Sequence, residues 1–175
     1  GLAHFLELIA VVFNAPSTRD AQKSEFRSCE RMMLYPNPVP LDFAESKYVP
    51  SSEMHRILVV SNHPPKELKK AMSLLSAKGY QVDMLIDAIG SEKPSITSAD
   101  LLDRYDCVIS IGKTVQYCLA QGVPVFLYDR FGGPGYLNEA NYELAEYYNF
   151  SGRSKPDGYS LHEAMADAAS ARQSP

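Results

Sequence analysis

Apolar positions along the chain switch repeatedly between short unbroken runs and a spacing of three to four residues. Leu8 to Phe13 is an unbroken run and reads as a buried strand; Ser17 to Met32, opened by Ser17-x-x-Asp20, reads as a helix. Tyr35-Pro36-Asn37-Pro38-Val39-Pro40 holds too much proline for either and reads as an extended connector. The polar stretch after it, 41–55, reads as a linker. Arg56 to Ser61 then forms a strand, and Asn62-His63-Pro64-Pro65 opens a helix to about Lys78. Its apolar stripe is Leu68, Met72 and Leu75, with Lys66, Lys69 and Lys70 mostly off it and Gly79 as the stop.

The alternation continues to the end of the chain. Val82 to Ile86 is a strand, and Thr97-x-x-Asp100 opens a short helix. Asp106 to Ile111 is a buried strand, and Gly112-Lys113-Thr114 leads into a helix to about Gln121. Val123 to Tyr128 is a further strand, followed by a glycine-rich loop from Asp129 to Tyr136 and a helix from Asn138 to about Tyr148. A last helix is expected at Ser160, where Ser160-x-x-Glu163 makes a capping box. Strands separated by helices or short crossovers predict an α/β fold: a Rossmann-like parallel sheet over 56–175 with helices on both faces. The strand, helix and connector of 1–40 stand apart from it.

Composition narrows the possibilities. At 175 residues and 45% hydrophobic, the chain suits one compact domain and excludes disorder. A net charge of −4 argues against nucleic acid or an anionic membrane as the main partner. No apolar run approaches the roughly 20 residues that span a bilayer, so a transmembrane segment is not expected. Leu2 to Phe13 superficially resembles a signal-peptide core, but His4, Glu7 and the lack of a leading basic cluster favour the strand. The chain opens on Gly1 rather than Met, so a longer native protein is expected. Cys29, Cys107 and Cys118 are odd in number and lack metal spacing, which predicts buried thiols and a reducing, cytoplasmic compartment, peripheral at the membrane at most.

In an open parallel sheet, ligands bind at the carboxyl ends of the strands. Ser61-Asn62-His63, Ser110 to Thr114 and Asp129 to Tyr136 all fall there. The second has the clearest chemistry. Gly112, Lys113 and Thr114 at a helix N-terminus offer amide N–H groups, a positive dipole end, an ammonium and a hydroxyl to a phosphate. It is not a Walker A loop, since Cys107 stands where the second glycine would be. The plain alternative is a strand-to-helix turn with a surface lysine. Gly132, Gly133 and Gly135, flanked by Arg130, Phe131 and Tyr136, form either a ligand loop or a tight turn. His63 is a cap or exposed side chain before it is a proton-transfer group. His4, His55 and His162 have no partner spacing, so neither a metal site nor a triad is expected. Glu139, Glu143 and Glu146 read as a solvated helix face, and Asn149-Phe150-Ser151 as a sequon that a cytosolic protein would not use.

Two resemblances follow from these segments. Arg56 to Ile86, with "AKGYQV", superficially resembles a response-regulator receiver domain. Ser61-Asn62 and Ser110, however, stand where receivers carry their acidic pair and phosphoacceptor. A non-catalytic Rossmann-like or degenerate receiver-like interaction module is thus the alternative reading.

The fuller resemblance is to the C-terminal, nucleotide-sugar-binding half of bacterial glycosyltransferases of the GT-B fold. Tyr35 to Val39 resembles their "I-P-N-x-V" connector, and Leu8 to Phe13 with its helix resembles the last elements of the preceding half. Arg56 to Pro65 resembles the first strand and donor-facing loop, and Ile111 to Val125 the donor-site helix with "G-x-P-V" at Gly122 to Val125. "YDRFGGPGYL" followed by a Glu/Asn-rich helix and "NFSGR" (Asn149 to Arg153) fits the same pattern.

The resemblance implies a donor-binding domain for a nucleotide diphosphate sugar, as in enzymes of polysaccharide biosynthesis. Its acceptor, a saccharide, lipid-linked or protein, would be met through the other half, so the isolated chain would catalyse little. The implied donor-site residues are Ser61, Asn62, Lys66, Gly112, Lys113, Thr114, Tyr117, Arg130, Gly132, Gly133, Gly135 and Tyr136. No cofactor or metal is implied, since helix dipole and lysine can neutralise a departing diphosphate. Many retaining members carry a ribose-binding Glu five residues before the "G-x-P-V" glycine. Here Tyr117 stands there, beside Gln116, so that ribose contact and the retaining assignment do not carry over.

Overall fold

The computed structural model describes residues 10–46, 48–85 and 97–154. Leu8, Ile9, Ile86 and the expected helix at Ser160 lie outside the described residues. The core is a five-stranded sheet built from β3 (Arg56–Val60), β4 (Gln81–Leu85), β5 (Cys107–Ser110), β6 (Val125–Asp129) and β7 (Gly132–Tyr136), in the order β4-β3-β5-β6-β7. Every neighbouring pair is parallel except β6 and β7. The chain is thus an α/β protein with a mostly parallel, Rossmann-like sheet.

Strand residues alternate between two faces, and both faces are covered. Ile57, Val59, Cys107, Ile109 and Phe126 meet Leu68, Ala71 and Leu75 of helix α3 (Lys66–Ala77). The fully buried Leu68 contributes roughly 1.5–3 kcal/mol. Leu58, Val60, Val108, Val125 and Leu127 point the other way. There they meet Leu102 of α4 (Ala99–Leu102), Val115 and Cys118 of α5 (Lys113–Gln121), and Ala145 of α6 (Glu139–Tyr147). Ser98 rather than Thr97 caps α4, accepting the Leu101 N–H, and Asn138 caps α6 in a reciprocal box with Asn141. None of the three cysteines is in a disulfide; Cys107 and Cys118 are buried, and burial holds the Cys118 thiol far above its ordinary range.

Three expectations are corrected. The helix expected over 17–32 is only α1 (Pro16–Gln22); turns follow, and Met32–Leu34 becomes strand β2. The reason is tertiary: β2 pairs in parallel with β1 (Val11–Phe13), forming a two-stranded sheet separate from the main one. The 41–55 stretch is not featureless, since helix α2 (Leu41–Glu45) buries Phe43 and stacks it on Tyr117 at 4.2 Å between ring centroids.

The third correction concerns the glycine-rich segment, which is strand β7 and not an open loop. A side chain on Gly133 would strike the Leu127 carbonyl, so glycine there permits close approach of two strands.

Candidate functional site

Strand β3 connects through α3 to β4 on one side, while its other neighbour is β5. The chain therefore reverses direction across the sheet between β3 and β5, the position where a parallel sheet leaves a crevice at its carboxyl edge. A cleft of about 710 Å³ opens there. The end of β3 supplies Ser61, Asn62 and His63; β5 and α5 supply Ser110, Lys113, Thr114 and Tyr117. Thr97 contributes from the segment before α4. The β6–β7 turn supplies Asp129, Arg130 and Phe131, and the segment after α6 supplies Ser151 and Arg153.

Local backbone geometry sets the floor of this cleft. Ser110 is buried and donates to the Val60 carbonyl at 2.9 Å, pinning the ends of β5 and β3 together. Gly112, at φ 59 and ψ −129, turns the chain from β5 into α5, a conformation open essentially to glycine alone. The first amides of α5, at Lys113 and Thr114, have no partner inside the helix. They give the cleft a positive dipole end. The N–H of Gly112 itself donates to the Phe150 carbonyl at 2.8 Å.

The segment after α6 is held under backbone strain. Asn149 and Phe150 both have φ 53, unusual for any residue and costly for a bulky one, on the order of 1–3 kcal/mol. The surroundings compensate: the Phe150 ring is buried, and its N–H donates to the Ala145 carbonyl at 2.6 Å. This turn sends the chain back over the strand ends into the 3₁₀ turn Gly152–Ser154. Asp129 locks it there. One carboxylate oxygen accepts the Phe131 N–H at 2.6 Å, and the other accepts the Gly152 N–H at 3.0 Å. A side chain at Gly152 would strike that carboxylate, so this join is close-packed.

Three cations line the cleft, and each lies over an aromatic ring. Lys113 Nζ is 5.5 Å from the Tyr117 centroid, while the Arg130 and Arg153 guanidinium carbons are 4.7 and 4.4 Å from that of Phe131. None is ion-paired with another described residue. The only acid among the described lining residues, Asp129, spends both oxygens on backbone amides. In a chain of net charge −4, this cleft is locally cationic. Among the described residues no group of three or more His, Cys, Asp or Glu could hold a metal ion. No helix among them is long and apolar enough to cross a membrane.

The structure thus brings together Ser61, Asn62, Lys113, Thr114, Tyr117 and Arg130 from the expected set. Gly112 serves as the N-cap of α5, and Lys66 is exposed on the first turn of α3, outside the lining. Gly132, Gly133, Gly135 and Tyr136 also lie outside it, in β7. Tyr136 packs edge-on against Phe126, on the α3 face of the sheet. Sequence reasoning placed the Asp129–Tyr136 segment, with Phe131 beside its glycines, at this edge, but gave Asp129 no role and assigned neither Thr97, Ser151 nor Arg153 to the site. Only the "NFSGR" pattern pointed toward the last two, because no periodicity relates a residue beyond a helix end to a distant strand edge. No protein-family model matches the chain, and no curated protein matches it in sequence.

Proposed function

We propose that the cleft binds a nucleotide diphosphate sugar, and that the chain is the donor-binding half of a GT-B-like glycosyltransferase. The observation that carries this reading is the convergence, at the switch point of a mostly parallel sheet, of the α5 N-terminus and three cations that pair with no acid among the described residues. Donor phosphates would meet the α5 amides, the Lys113 ammonium and the Thr114 hydroxyl. Tyr117, in the place of a retaining enzyme's ribose-binding glutamate, lies at the same wall with its ring stacked on Phe43 and beneath the Lys113 ammonium. Departing diphosphate would be stabilised by these fixed charges without a metal.

The separate β1–β2 sheet, with Val12, Met33 and Leu34 exposed, supports assigning residues 1–40 to a preceding acceptor half. The alternative, an interaction module acting through its helix surfaces, gives the cationic cleft no role. Calorimetric titration with nucleoside diphosphates tests the reading. Wild type should bind them, and Lys113→Ala should weaken binding by about one to two decades, the effect of losing one charge-assisted contact. Nucleosides without phosphate should be unaffected. Equal diphosphate affinities in both proteins would return Lys113 to the role of a surface lysine.

A further inference from the structure

The cations of the cleft fall into two groups on two different rings. Lys113 lies over Tyr117 at the start of α5, whereas Arg130 and Arg153 share Phe131 across the cleft wall made by the β6–β7 turn and the 3₁₀ turn. Two guanidinium groups over one ring repel each other, and no described acid pairs with either. The arrangement is nevertheless built into the fold. The Asp129 carboxylate ties the amide of Phe131 to that of Gly152, which fixes the neighbours of both residues, Arg130 and Arg153. The strained Asn149–Phe150 turn and its bond to Gly112 fix the same segment against α5. A guanidinium resting on a ring keeps its N–H fork free for an oxyanion, and two such forks suit a phosphate.

We infer that Arg130, Phe131 and Arg153 form a second anion subsite that takes the distal phosphate of a diphosphate ligand, with Asp129 as its positioning residue. The inference rests on the reading of the cleft as a diphosphate site and divides that site in two. The first amides of α5 and the half-buried Thr114 form one wall of the cleft, so the proximal phosphate belongs there. Arg130 and Arg153, exposed as Lys113 is, stand on the β6–β7 turn and the 3₁₀ turn instead of on α5, and there the distal phosphate and a transferable group on it would lie.

The test titrates wild type, Lys113→Ala, Arg130→Ala, Arg153→Ala and Asp129→Asn with uridine and adenosine mono- and diphosphates, and with inorganic phosphate and pyrophosphate. Both arginine variants remove exposed side chains. Each should lower diphosphate and pyrophosphate affinity about tenfold while leaving monophosphate affinity nearly unchanged. Lys113→Ala should weaken mono- and diphosphates alike. Asp129→Asn keeps one acceptor but presents an N–H to the other amide, and should reduce the diphosphate-to-monophosphate affinity ratio as Arg153→Ala does. A loss of stability alone would leave that ratio unmoved and would remove Asp129 from the role. Diphosphate binding that depends on Lys113 but on neither arginine overturns the second subsite while sparing the nucleotide reading. Arginine-dependent pyrophosphate binding with no gain from a nucleoside supports the subsite and sinks the nucleotide reading. Failure of wild type to bind any of these ligands overturns both.

Discussion

Among the described residues, a mostly parallel five-stranded sheet and a parallel two-stranded one have opposite fates. In the main sheet all of β5 is buried, because α3 covers one face and α2, α4, α5 and α6 the other. In the β1–β2 pair, Met32, Met33 and Leu34 are all exposed, and Val12 is 58% exposed. Both regions are apolar in sequence and both pair in parallel, yet only one has cover on two sides. A parallel strand derives most of its stability from that cover, so its apolar run is a requirement that the rest of the fold either meets or leaves unmet.

The largest expected effect sharpens this contrast. Phe126→Ala, which empties a side chain packed between β6 and the α3 face, should cost about 3–5 kcal/mol in denaturant unfolding. Val12→Ala should cost less than about 0.5 kcal/mol, the range of an exposed substitution. Comparable losses at the two positions would break the comparison.

In and beside the main sheet, two glycines are demanded for different reasons. Gly133→Ala drives a methyl group into the Leu127 carbonyl and should cost about 1–3 kcal/mol or more, with loss of β6–β7 pairing by amide exchange. Gly112→Ala meets no neighbour within 4 Å, but places a side chain at φ 59. It should destabilise less, on the order of 1–3 kcal/mol at most, and act chiefly by displacing the start of α5 and with it ligand binding.

The smallest effect concerns the joint between the two regions. Tyr147 on α6 donates to Asp20 on α1 at 2.9 Å, and Arg19 donates to the same carboxylate at 3.0 Å. The hydrogen bonds from Arg19 and then Tyr147 hold the Asp20 carboxyl below its ordinary value of 3.8. The folded state therefore binds this proton less tightly than the unfolded state. The joint's contribution is present above about pH 3.8 and is lost as pH falls through the lowered folded value. Amide exchange of β1 and β2 should quicken as pH is lowered through this window, beyond the intrinsic change, with β5 unaffected. Asp20→Asn should abolish that dependence.

The sequence by itself determined most of the main sheet. The unbroken apolar runs at 57–60 and 107–109, buried on both faces, the Leu68–Leu75 stripe and the caps around Asn138 are local patterns, legible from residues a few positions apart. Local pattern also identified the Gly112–Lys113–Thr114 start of α5. What it could not determine was set by partners far along the chain. Met32–Leu34 has residues suited to a helix, yet becomes a strand because β1 supplies a ladder. Gly132 to Tyr136 is a poor strand by composition, yet the edge of β6 recruits it, and Pro134 is tolerated because β7 is terminal in the sheet. Strand order in the sequence already put Lys113 and Arg130 at one sheet edge, but tertiary structure alone added Arg153. No periodicity joins it to them, only a strained turn that returns the chain to the ends of the parallel strands.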